Sequence, residues 1–189
     1  MKKFLRFGAA SAVVAASLGM STVANAQDSA SADAFAEILT ALTLEFDTGS
    51  PLDFGAMVVT GAGGVVSLDA STGTLDCSIA TIVCSGTTGL APFSITAGTP
   101  GKNVTINFDT PSVKLFNLAG TGAAYELELG NFNSDAPEVT DSTTFDTYYE
   151  VGLDGGGLGA FLVGGDLTFD GTEVPGLYEG TFDVSVEYS

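Results

Sequence analysis

The chain has no histidine and no tryptophan, and its 189 residues include only five lysines and arginines and two cysteines. Without histidine there is no Ser–His or Cys–His nucleophile, no imidazole general base and no histidine-bound zinc. The basic residues are Lys2, Lys3, Arg6, Lys102 and Lys114. No arginine follows position 6, so no bidentate guanidinium clamp for phosphate or carboxylate is available beyond it. Cys77 and Cys84 have no second cysteine pair to complete a four-ligand zinc site. After residue 26 no apolar run reaches the ~20 residues that a spanning helix needs.

What is there begins with an export signal. Lys2, Lys3 and Arg6 form a basic start, Ala9–Leu18 an apolar stretch, and Ala24-Asn25-Ala26 a small-residue cleavage site. The expected product is exported and cleaved after Ala26, leaving 189 − 26 = 163 residues, enough for one domain with one core. All 23 acidic residues follow position 26 but only Lys102 and Lys114 of the basic ones do, so the cleaved chain carries 2 − 23 = −21. Such a charge repels nucleic acid and anionic membranes. The acids are scattered singly through alternating segments, as on solvated outer strand faces.

Composition and periodicity point to β-structure. Glycine, threonine, valine and phenylalanine are abundant, and period-two alternation recurs between turn signals. Residues 28–37 are small and polar, a leader rather than a packed element. Ala34, Ala36, Ile38, Leu42, Leu44 and Phe46 alternate as in a strand. Phe35, Ile38, Leu39 and Leu42 also fit a short helix, and the extended reading is favoured from Leu39 to Phe46. Strands are expected over 52–59, 65–69, 93–97, 103–109, 113–118, 125–132, 148–153, 159–169 and 177–188, with a polar loop over 133–147. In the last segment Tyr178, Phe182, Val184, Val186 and Tyr188 share one face and Glu179, Thr181, Asp183, Ser185 and Glu187 the other. Many short strands of this spacing make an antiparallel sandwich or barrel. The domain plan is a signal over 1–26, an N-terminal extension over 27–46 and a β-sandwich over 47–189. In an oxidising compartment Cys77 and Cys84 are expected to form a disulfide closing a small hairpin.

Enzymatic motifs are weak. Glu126 and Glu128 fall on one strand face opposite Tyr125, Leu127 and Leu129, which makes them a solvent side rather than a cleft pair. Gly155-Gly156-Gly157-Leu158-Gly159 lacks the lysine and the following helix of a phosphate loop. Asp141, Asp146, Asp154, Asp166 and Asp170 offer hard oxygen ligands, yet no Asp-x-Asp-x-Asp-Gly calcium loop exists. The expectation is a non-enzymatic protein with no cofactor and no metal.

Two resemblances sharpen this. Leu52-Asp53-Phe54-Gly55, Val163-Gly164-Gly165-Asp166-Leu167 and the alternating run from Gly176 to Tyr188 resemble an uncharacterised domain-of-unknown-function family of secreted bacterial β-proteins. Some of its members are labelled Mat/Ecp-type fimbrial major subunits. The C-terminus is also similar to that of chaperone–usher pilus subunits, with a penultimate tyrosine, Tyr188, and a glycine fourteen residues from the end, Gly176. That resemblance implies an incomplete immunoglobulin-like antiparallel β-sandwich whose missing strand comes from a periplasmic chaperone and then from the next subunit. It casts Ile38, Leu42, Leu44 and Phe46 as donor strand, and Gly176, Tyr178, Phe182, Val184, Val186 and Tyr188 as acceptor edge. The expected function is an exported subunit of a fimbria or other surface assembly. Its partners would be copies of itself, a chaperone and an usher, reached through the periplasm on the way to the cell surface. The alternative is a monomeric secreted or surface module binding glycan or calcium, in which the N-terminal segment is an ordinary strand of its own sandwich.

Overall fold

A computed structural model describes residues 31–189; the expected signal over 1–26 lies outside them. The chain divides into two units, Met1–Glu37 and Ile38–Ser189. The described part of the first, residues 31–37, has no regular secondary structure. The second is built from strands and one short 3-10 turn.

In chain order the strands are β1 (Thr43–Phe46), β2 (Ala56–Val59), β3 (Gly64–Leu68), β4 (Leu75–Asp76), β5 (Ile82–Ser85), β6 (Ala91–Ala97) and β7 (Asn103–Phe108). There follow β8 (Ser112–Asn117), β9 (Glu126–Ser134), β10 (Glu138–Thr140), β11 (Thr147–Gly152), β12 (Gly159–Phe169), β13 (Tyr178–Glu179) and β14 (Val184–Tyr188). The large sheet runs β1-β6-β12-β9-β8-β13, with β3 also paired to β12 and β4 to β3. A second sheet runs β10-β11-β7-β14, and β2 and β5 pair as a separate ribbon. Every pairing is antiparallel.

The all-β antiparallel sandwich expected from the sequence is the fold. Its layers follow from alternation, because the inward residues of each strand must find a partner face. Phe93 and Ile95 of β6 and Phe161 and Val163 of β12 pack against Val104 and Ile106 of β7 and Val151 of β11. That is the core between the large sheet and the four-stranded one. A second core joins Val66 and Leu68 of β3, Leu127 and Leu129 of β9 and Leu167 of β12 to Phe54 and Ile82, under the β2–β5 ribbon. Leu52, Phe132 and Phe182 touch both cores. Each fully buried side chain of this size contributes about 1.5–3 kcal/mol.

Three local expectations change. The segment 177–188 is not one strand: Tyr178 and Glu179 pair with Asn117 and Phe116 of β8, whereas Val184–Tyr188 pair with β7. Residues 180–183 carry the chain from one sheet to the other. The polar loop over 133–147 contains β10, which extends the sheet beside β11. The extended segment favoured from Leu39 to Phe46 over a short helix is a strand only from Thr43, and residues 34–42 carry no regular secondary structure.

Cys77 and Cys84 form the disulfide, with Cα atoms 6.2 Å apart. It does not close a simple hairpin; it ties the end of β4, and so the large sheet, to β5 of the ribbon.

Candidate functional site

The sandwich leaves an open apolar groove along the segment 173–184. One half is a cleft of about 710 Å³. Its walls are Leu44, Phe46 and Pro51–Phe54 on one side and Leu177–Val184 on the other, over a floor of Phe93, Leu115 and Leu129. The other half, about 580 Å³, lies between Leu52–Val59 and Glu173–Tyr178, over Leu115, Leu127, Leu167 and Phe169. The halves share Leu52, Phe54, Leu115, Leu177 and Tyr178, so they adjoin.

Both walls are fixed by hydrogen bonds. On the first, Asp53 and Gly89 exchange two backbone bonds of 2.8 Å, and the Asp53 carboxylate accepts the Gly55 N–H at 2.8 Å. On the second, the Tyr178 hydroxyl lies 2.7 Å from the Val174 carbonyl and 3.0 Å from that of Ala124. The buried Asn117 amide donates to the same Val174 oxygen at 3.3 Å and accepts the Ala119 N–H at 3.0 Å. A Cβ on Gly176 would collide with the Asn117 side chain, which is the physical reason for glycine there. Phe182 is held by its rings' neighbours, stacked on Phe132 at 4.9 Å and edge-on to Phe93 at 6.3 Å.

Further along β14, hydrogen bonds tie the chain ahead of β1 to its end. The Tyr188 hydroxyl accepts the Thr99 N–H at 2.7 Å and donates to the Thr40 carbonyl at 2.6 Å. Thr40 in turn donates its N–H to Thr99 Oγ1 at 2.7 Å. These bonds bring the approach to β1 and the end of β14 together. Phe46 of β1 and Val184 of β14 line the groove.

The structure brings part of each predicted set to the groove: Leu44 and Phe46 of one, and Gly176, Tyr178, Phe182 and Val184 of the other. Val186 and Tyr188 continue β14 against the core beside it. Leu44 and Phe46 form the facing wall, within β1, whose ladder runs to Ile95 and Phe93 of their own chain. Leu42 packs on the same core, and Ile38 is 95% exposed, as is Phe35 at 94%. Sequence reasoning missed the β2 wall and the floor residues Leu115 and Leu127. They are distant in the chain and carry no shared motif.

The acidic loops act on their own turns. The Asp154 carboxylate accepts N–H groups of Leu158 at 2.9 Å and Gly156 at 2.7 Å, which hold its pKa below the usual 3.8. Asp141 is lowered likewise by the N–H groups of Thr143 and Thr144, and Asp170 by the hydroxyl and N–H of Thr172. Asp166 accepts from Asn131 at 2.8 Å. Among the described residues no group of three or more acidic or cysteine side chains is placed to hold a metal ion. The glycine run 155–159 is the tight turn between β11 and β12, where Gly157 has φ +75° and packs against Gly98.

Fold and groove together define an antiparallel β-sandwich domain with an open, apolar, strand-sized cleft beside its C-terminal segment. The chain belongs to the family described as Domain of unknown function (DUF4402), whose model matches residues 44–188. The matched region opens within β1 and spans both walls of the groove. No match was found among curated proteins or among solved structures.

Proposed function

We propose that this protein is an exported structural subunit of a fimbria or similar surface assembly, and that copies join by strand donation. The N-terminal arm of one copy enters the groove of the next. The observation that carries this reading is the groove itself: an apolar trench with pinned walls that none of the described residues covers, in a chain otherwise rich in acid. A free sheet edge beside such a trench is a template for an added strand.

The sequence reading gave the donor role to Ile38, Leu42, Leu44 and Phe46. Because Leu44 and Phe46 already pair within their own chain and Thr40 is bonded to Thr99 and Tyr188, the proposal assigns the donor role to the residues preceding Thr40. Phe35 and Ile38 are its large apolar side chains with nearly full exposure. Burying these two contributes about 3–6 kcal/mol before ordering costs, to which main-chain bonds along the edge add. A contact of this kind is head-to-tail and does not close on itself, so it propagates as a filament. A periplasmic chaperone would cover the groove until the arm of the next copy arrives.

The test is the behaviour of the exported protein without heating. Full chain purified from the periplasm should run in SDS as a ladder that boiling collapses. Deleting residues 27–39 should leave only monomer. A chain that stays monomeric at high concentration, or a ladder that survives the deletion, overturns the proposal.

A further inference from the structure

The outward side of the β8–β13 edge carries three apolar side chains that the core does not use. Phe116 is 48% exposed, Leu118 87% and Leu177 74%. They flank the ladder pair Asn117–Tyr178, whose own side chains turn inward to pin the groove wall. Alternation puts Phe116 outside for that reason, and Leu118 and Leu177 lie just beyond the ends of β8 and β13. Leu177 also lines both halves of the groove, so the patch continues directly from its rim.

We infer that this patch, Phe116 with Leu118 and Leu177, is the seat of the neighbouring copy's folded domain, beside the groove that takes its arm. The inference rests on the strand-donation reading above. It follows from where the arm ends. Thr40 is bonded at both its N–H and its carbonyl to its own domain, and Leu42 already packs on that domain's core. No linker separates a donated arm from the domain behind it, so the two folded bodies must abut at the groove.

The experiment separates the body contact from arm capture. Leu118→Asp and Phe116→Ser are made singly in the full chain; both side chains are exposed, so the fold tolerates them. Arm capture is read with a labelled synthetic peptide of residues 27–39, added to chain freshly diluted from denaturant. Assembly is read by sedimentation. The expected result is peptide affinity within twofold of the unaltered chain and mean polymer mass lowered at least tenfold for Leu118→Asp. Unchanged polymer mass in both variants overturns the inference. So does loss of peptide binding in step with polymer, since the patch would then belong to the groove. An unaltered chain that neither assembles nor takes up the peptide removes the strand-donation reading, and this inference falls with it.

Discussion

Tyr188 joins three chain segments through one oxygen. Its hydroxyl accepts from the Thr99 N–H, donates to the Thr40 carbonyl and lies 3.3 Å from Thr99 Oγ1. Its ring meanwhile packs against the core between the two sheets. Tyr188→Phe keeps the ring and removes the oxygen, which strands the Thr99 N–H and frees the Thr40 carbonyl. The net value of one hydrogen bond is about 0.5–1.5 kcal/mol, and a donor left without a partner adds to the loss. Urea unfolding of Tyr188→Phe should therefore show a stability lower by about 1–2 kcal/mol at unchanged m-value. An unshifted midpoint would mean that solvent satisfies Thr99 and Thr40 equally well, and that the tie between β14 and the chain ahead of β1 owes nothing to this hydroxyl.

At the scale of elements, the least supported piece is the β2–β5 ribbon. Its ladder pairs Ala56–Val59 with Ile82–Ser85 and joins no other strand. A lone two-stranded ribbon is marginal in water, so this groove wall depends on Phe54 and Ile82 beneath it and on the Cys77–Cys84 bond to β4. With a sequence separation of 7, the loop-entropy model gives the disulfide about 2 kcal/mol. Replacing both cysteines by serine should lower stability by about that amount. Native-state hydrogen exchange should speed first at the β2–β5 amides, with β6, β7 and β12 nearly unaffected. Uniform acceleration across all strands would show instead that the ribbon unfolds only with the whole domain.

The same elements explain what the sequence revealed. Strands such as β6 and β12 were legible because Phe93 and Ile95, or Phe161, Val163 and Leu167, alternate with outward residues. The break at 180–183 was not legible, and the reason is geometric. Tyr178 on the large sheet and Val184 on the small one both face the space between layers, so alternation continues undisturbed while the chain changes sheets. β2 falls inside the strand expected over 52–59, whereas its partner β5 and β10 lack enough residues to establish a period. One wall of the groove was legible as the edge from Gly176 to Val184. The other was not, since only tertiary packing sets Leu52–Val59 opposite Glu173–Tyr178.

For the whole molecule the dominant force between copies is repulsion. A chain without residues 1–26 carries −21, with only Lys102 and Lys114 positive. The proposed strand donation would bring two such bodies into contact, so the approach rather than the final fit should limit its rate. Screening acts on the approach: the Debye length falls from about 30 Å at 0.01 M salt to about 10 Å at 0.1 M and 3 Å at 1 M. The rate of ladder formation should therefore rise at least tenfold between 10 and 500 mM NaCl, while the boiled monomer band is unchanged in mass. Calcium chloride at matched ionic strength should give the same rate within about twofold, because the carboxylates of Asp141, Asp154 and Asp170 are engaged in their own turns. A rate indifferent to NaCl would place the limiting step inside the groove, in the ordering of the arm. Acceleration by calcium far beyond the matched NaCl curve would point instead to a bridging ion between acidic faces of neighbouring copies.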